Sequence, residues 1–234
     1  MIFIGDIHGN FNRLIFRINR FGLSNQNLIQ VGDFGIGFRS EKDDMAFMQR
    51  LNDCLKKGNN TLFVIRGNHD DPRFFDGSIK LSNLWLLPDY SVLSIESKTL
   101  LLIGGAISID RTDRKIDLNY WEKEVFDFNE SKLQSILFSN KRIDIVVTHT
   151  APTFAFPQNL DPIVLEFTKA DSALLEDLTR ERERLDSLHS TIIKSTKPAF
   201  WVYGHFHKSN THSVDGIEFH LLDENEMKEI ASLC

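Results

Sequence analysis

Nine residues with metal-ligating or acid–base chemistry recur at similar positions along the 234-residue chain. Asp6 and His8 stand two apart in "GDIHGN", so in extended chain both point to one side. Asp33 follows in "VGDFG", and Asn68, His69 and Asp70 in "RGNHDD". His149 lies in "VVTHTAP", and His205 and His207 in "YGHFH". Taken alone, "GDIHGN" reads equally as a metal pair or as a turn, because Gly, Asp and Asn are ordinary turn residues. The repetition separates the two readings: acids, amides and imidazoles follow one apolar run after another. Ligands of open α/β sheets bind at the carboxyl ends of strands. A hard oxygen beside imidazole nitrogens suits Mn, Fe, Zn or Co better than Mg or Ca.

The runs that must position these residues are short, β-branched and nearly continuous in apolar character, as strands buried on both faces are. They are residues 1–5, 28–33, 61–70, 99–106, 143–150 and 199–207, with 216–222 as a last strand. "YSVLSIESKTLLLIGG" reads as two antiparallel strands around an "SK" turn. Helical patterns lie between. Residues 10–21 set Phe11, Leu14, Ile15, Ile18 and Phe21 on one stripe. Residues 40–57 begin with a Ser N-cap and acids and end in lysines before Gly58. Residues 129–141 and about 169–194 are the other helices. In the last, Leu174, Leu178, Leu185 and Leu188 form a stripe, and "RERER" reads as a solvated, salt-bridged face in preference to a binding patch. Alternation of strands and helices predicts an α/β fold, and no linker or repeat divides the chain, so one domain is expected over 1–234.

Net charge is −6 with no basic tail, which disfavours long nucleic acid as a partner and leaves nucleotides or nucleic-acid ends as substrates only. Apolar runs fall short of the roughly 18 residues a membrane span needs. The two cysteines, Cys54 and Cys234, have no ligand-like spacing, so a reducing compartment without a disulfide framework is expected. No secretory leader is read at the N-terminus, and the expected location is cytoplasmic.

"GDIHG", "GD", "GNHD", a lone His after a strand and "GHFH", in this order over residues 5–207, resemble the calcineurin-like metallophosphoesterase superfamily. The resemblance implies a sandwich of two packed mixed β-sheets flanked by helices. It implies two divalent metal ions, Mn²⁺ foremost, with Fe, Zn or Co as alternatives. Asp6, His8 and His207 would hold the first, Asn68, His149 and His205 the second, and Asp33 would bridge them. Such a pair sits about 3.5–4 Å apart, lowers the pKa of a shared water to give a bridging hydroxide, and clamps the phosphate in line. The "GNH" histidine, His69, would act on the leaving group; a third ligand is the competing reading. Asp70 is a candidate either for orienting His69 or for capping the segment after it. Gly5, Gly9, Gly32, Gly67 and Gly204 fit tight turns where backbone approaches metal or phosphate.

The chain departs from the phosphoprotein-phosphatase branch, which continues its second motif as GD-x-x-D-R-G. Here the stretch is "GDFGIGFRS", and the next arginine, Arg39, is out of register. "GGAISIDRTDR" followed by "LNYWEKE" resembles a loop of small bacterial and phage metallophosphoesterases. Arg111 and Arg114 are candidates for a phosphate oxygen and Trp121 for stacking on a base or walling the pocket; a surface loop with a buried Trp anchor is the plain alternative. The Pro-rich stretch 151–162 is expected to shape substrate access. The expected activity is hydrolysis of phosphate esters, with monoesters ahead of diesters of nucleotides or nucleic acid. A non-catalytic scaffold is disfavoured because every ligand position is filled.

Overall fold

A computed structural model describes residues 1–140 and 142–230. Two sheets carry the fold. The first has strand order β11-β1-β2-β3-β4, with β1 (Ile2–Ile4), β2 (Asn27–Gln30), β3 (Thr61–Val64), β4 (Leu84–Leu86) and β11 (Met227–Glu229). All its pairings are parallel except β1 with β11. The second runs β5-β6-β7-β8-β10-β9, from β5 (Ser91–Ile95), β6 (Lys98–Ile103), β7 (Ile145–Thr148), β8 (Phe200–Tyr203), β9 (Asn210–Val214) and β10 (Ile217–Leu221). Its three inner pairings are parallel and its two edge pairings antiparallel. Both sheets are mixed, as expected.

Side-chain alternation along each strand stacks the layers. Phe3, Ile29, Phe63, Leu100, Leu102 and Val147 fill the space between the sheets. Ile4, Leu28, Leu62 and Val64 turn outward onto Phe11, Leu14 and Ile18 of α1 (Phe11–Arg20) and Met48, Leu51 and Leu55 of α2 (Glu41–Lys57). Leu101, Val146, Trp201 and Phe219 turn the other way. They meet Leu133 and Leu137 of α3 (Glu130–Ser139) and Leu185, Leu188 and Ile192 of α5 (Leu174–Ser195). The inner strands are largely apolar because both faces are covered.

The Ser40 side chain accepts from Asp43 N–H and caps α2 as predicted. Several expectations move. The β5–β6 turn is Glu96-Ser97, both left-handed (φ 52° and 62°), one residue earlier than "SK". The last long helix begins at Leu174 instead of near 169, and a separate short helix, α4 (Pro162–Phe167), precedes it. The "RERER" segment is no purely solvated face: Glu181 is buried, and Arg182 donates to the carbonyls of Ala151, Pro152, Ala155 and Pro157. The strands β4, β9 and β11 were not anticipated, being three to five residues long or polar. Lys141 and Cys234 lie outside the described residues, and Cys54 is a buried free thiol. No helix among the described residues is long and apolar enough to cross a membrane.

Candidate metal centre

Loops after β1, β2, β3, β7 and β8 deliver the seven ligand candidates to one end of the sandwich. The loops are laced together by backbone. Ile7 N–H and His8 N–H both donate to Asp33 O, and Gly204 N–H donates to His149 O. Four of the seven candidates, His8, Asp33, His205 and His207, have φ of 45°, 55°, 71° and 48°. Left-handed backbone costs a non-glycine residue roughly 1–2 kcal/mol, so these loops are held against their local preference by the surrounding structure.

Two clusters result. Asp6, His8, Asp33 and His207 bring one donor atom each within 4.8 Å of one another, and so do Asp33, His149 and His205. Asp33 belongs to both. Asn68 Oδ1 lies 3.1 Å from His149 Nε2 and so joins the second cluster. Asp33 Oδ1 is 3.2 Å from the same nitrogen, and its Oδ2 is 3.8 Å from His8 Nε2.

The donor set fits a pair of cations. His8 Nε2 and His207 Nε2 face each other at 3.0 Å, close enough for both to reach one ion. The buried Asp6 Oδ1 has no hydrogen-bond partner, while Asp6 Oδ2 accepts from His205 N–H at 2.9 Å. His149 Nδ1 lies 2.8 Å from Val31 O; donating there leaves Nε2 free to ligate, the usual arrangement of a metal histidine. Space beside the carboxylates is kept open. A Cβ on Gly67 would lie 2.1 Å from Asp33 Oδ1, and one on Gly204 2.2 Å from Asp6 Oδ1.

The two carboxylates differ in character. Burial raises the pKa of Asp6. Burial acts on Asp33 in the same direction, but His149, His69 and His8 more than offset it and hold Asp33 well below the usual range. Asp33 is therefore the fixed negative charge around which the imidazoles gather.

His69 is the part-buried residue beside the centre. Its ring meets His8 edge-on at 4.8 Å and stacks on Phe38 at 5.9 Å. Arg114 Nη2 lies 2.9 Å from His69 Nε2 and 2.7 Å from Asp110, so the guanidinium donates to the imidazole. Burial, with Arg114 and His8 adding to it against the pull of Asp33, lowers His69 to about 4. Asp70 does not touch His69: its carboxylate accepts from Phe34, Gly35, Ile36 and Gly67 N–H, fastening the β2 loop to the β3 loop. The cap of the following 3-10 turn is Asp71.

The 104–125 loop divides its predicted residues. Arg114 lines the cavity beside the centre. Arg111 pairs with Asp171 at 2.5 Å and Asp177 at 2.7 Å, tying the loop to α5. Trp121 is 4% exposed and meets Phe38 edge-on at 5.2 Å; it acts from behind the aromatic wall. Arg39 packs over Phe11 and Phe47 and donates to Gly9 O and Gly35 O.

Sequence reasoning passed over three residues. Ser108 Oγ accepts from Asn68 Nδ2 at 3.1 Å, which turns Oδ1 toward His149. Glu224 Oε1 lies 3.6 Å from His8 Nε2 and 3.5 Å from His207 Nδ1. Arg66 donates to Lys123, Glu124 and Val125 O and pairs with Asp89, binding the β3 loop to the 121–125 turn. Two carried a signal: Glu224 is an acid after a strand, and Arg66 a charge ending an apolar one.

A family model described as calcineurin-like phosphoesterase matches residues 1–209. No curated protein matches the chain. Among solved structures, a candidate 5′-nucleotidase from Staphylococcus aureus has a TM-score of 0.50 at 14% identity, with 96% of this chain and 48% of that chain covered. The present chain thus spans about half of that one. The phosphopantetheinyl hydrolase of Mycobacterium tuberculosis aligns at TM-score 0.46 and 12% identity, covering 96% of this chain and 89% of that one. An archaeal phosphodiesterase aligns at TM-score 0.39 and 13% identity, covering 96% and 84%.

Proposed function

The chain belongs to the calcineurin-like phosphoesterase family, and from that premise we propose that it is a dinuclear-metal phosphomonoesterase. One observation carries the reading: two ligand clusters share Asp33 and open, beside His69, onto one cavity. Asp6, His8 and His207 would hold one ion, Asn68, His149 and His205 the other, and Asp33 both. Mn²⁺ suits this oxygen-and-imidazole set, with Fe, Zn or Co as alternatives. When bound, such a pair supplies an acidified water and a positive clamp for phosphate oxygens.

The chain's own residues do the rest. The ester lies in the cavity with its phosphate against Asp33, Asn68, His205 and His207, and its leaving oxygen toward His69 and Arg114. His69, with Arg114 beside it, is placed to hand a proton drawn from solvent to the leaving oxygen once that oxygen displaces Arg114 from Nε2. Arg114 positions the ring and shares the charge that develops there. The apolar part of the cavity offers a place for the organic group of a monoester.

The test compares phenyl phosphate, p-nitrophenyl phosphate and bis-p-nitrophenyl phosphate with metal-loaded protein. His69→Ala should retain two metals and lose about 10²–10⁴-fold in turnover of phenyl phosphate. It should lose less with p-nitrophenyl phosphate, whose leaving group needs no proton. Equal losses on both esters would remove the acid role, and faster cleavage of the diester would overturn the monoesterase reading.

A further inference from the structure

The cavity at the centre has a volume of about 450 Å³, within the range of small-molecule pockets. One end is the ligand set. The other is mainly apolar: Leu160, Ile163, Val164 and Phe167 from the α4 segment, with Asn159 and Asp161 beside them, face Ile109, Leu178 and Phe206. Phe206 stands between His205 and His207 and is fixed by His205 at 5.0 Å and Arg182 at 5.3 Å. Val164 roots α4 in a small separate core with Ile107 and Leu174. Leu160 and Ile163 nevertheless remain 44% and 50% exposed.

The charges lining this cavity beyond the ligand set are all engaged. Arg114 serves Asp110 and His69, and Lys208 pairs with Asp161 at 3.1 Å. Arg182 serves four carbonyls, while Glu181 accepts from Ile107 N–H and Phe126 N–H. A second phosphate or a carboxylate on the substrate would meet no uncommitted cation, and a polyhydroxy group would find few polar partners, Asn159 and Thr150, against a mainly hydrocarbon lining. An apolar group would cover Leu160 and Ile163, surface that is otherwise left in water.

We propose that the α4 chamber is a specificity site for the organic half of the substrate, selecting phosphate esters of small uncharged hydrophobic alcohols of one or two rings. Phosphorylated sugars, nucleoside polyphosphates and phosphoproteins are disfavoured. This rests on the phosphoesterase reading above. Leu160, Ile163 and Phe206 are the specificity residues.

The experiment uses the metal-loaded full chain with benzyl and 1-naphthylmethyl phosphates against ethyl and glycerol 3-phosphates. Their leaving alcohols differ in apolar area and little in acidity. kcat/KM should rise at least about 10-fold from glycerol 3-phosphate to 1-naphthylmethyl phosphate, chiefly through KM. Calorimetry with 1-naphthylmethanol, which carries no phosphate, reads the chamber without turnover. Ile163→Asp should weaken that binding about 10-fold and flatten the substrate preference. Phe138→Asp, on the far face of α3 and 92% exposed, should do neither. Similar kcat/KM for all four esters, or naphthylmethanol binding indifferent to Ile163→Asp, overturns the chamber and leaves the phosphoesterase standing. Hydrolysis of none of them, with two metals bound, overturns the phosphoesterase reading instead, while the calorimetry still decides the chamber.

Discussion

His8 and His207 meet the buried Asp6 at the rim of the strand ends, where their own side chains stay 26% and 46% exposed. Beneath them, His149 is fully buried and Asp33 nearly so, with Asn68 and the part-buried His205 alongside. Support differs as much as burial. His149 is steered by Val31 O, just after β2, and Asn68 by Ser108, whose N–H is held by the buried Glu124. The rim imidazoles have Glu224, itself 49% exposed, as their outer partner. Preorganised ligands in a dry setting lose little freedom on binding an ion, whereas exposed ligands must be ordered by it. On the dinuclear reading proposed above, the inner position would therefore be the tight one and the rim position the exchangeable one.

The strongest way to break this contrast is to remove what the two positions share. Asp33→Asn should abolish two-metal stoichiometry, measured by elemental analysis, and cut turnover at least about 1000-fold, since metal clamping contributes several kcal/mol. A variant still holding two ions would show that Asp33 is no bridge.

The buried side is sharpened by pH. Burial raises Glu181, on the cavity wall, to about 7 against the accompanying backbone N–H bonds. The folded state then binds more protons than the unfolded one between about 4.5 and 7, so this group's contribution to stability is present below 4.5 and lost as pH rises through 7. The loss is up to about 3 kcal/mol. In metal-free protein, Glu181→Gln should flatten the fall of denaturant midpoint over that window; an unchanged slope would assign the pH dependence elsewhere.

Smaller effects separate the two supports. Ser108→Ala frees the Asn68 amide and should weaken the inner ion about 10-fold in a chelator titration, leaving the rim ion alone. Glu224→Gln should weaken only the rim ion, by no more than about 5-fold, because an exposed carboxylate is screened. Reversal of that order would mean that the rim is the better-built half.

Much of this was legible in the chain because the signals are local. The apolar runs ending in "GD", "GNHD" and "GHFH" mark strands and the loops after them within ten residues or so. Where legibility failed, the cause was distance. Asp70 reads as a partner for its neighbour His69, yet it spends its oxygens on amides of the β2 loop more than 30 residues away. "RERER" reads as a solvated face until Arg182 finds the carbonyls of the 151–157 loop. Arg111 and Arg114, three residues apart, reach α5 and His69 respectively, a choice set by the loop's path and by no property of the two residues. Ser108 carried too little local pattern to stand out.

What the sequence determined by itself is the inventory: which atoms can ligate, that they follow strands, and the order in which they come. Alternation and turn chemistry act between near neighbours, so they survive in a one-dimensional reading. The tertiary structure alone decided that His8 meets His207 across 199 residues and Asn68 meets His149 across 81. It also decided that four ligand residues take left-handed backbone and that α4 closes an apolar chamber over the site. Those outcomes depend on packing two sheets face to face, and the free energy that enforces them comes from side chains such as Phe3, Phe63 and Val147, far in sequence from most of the residues they hold in place.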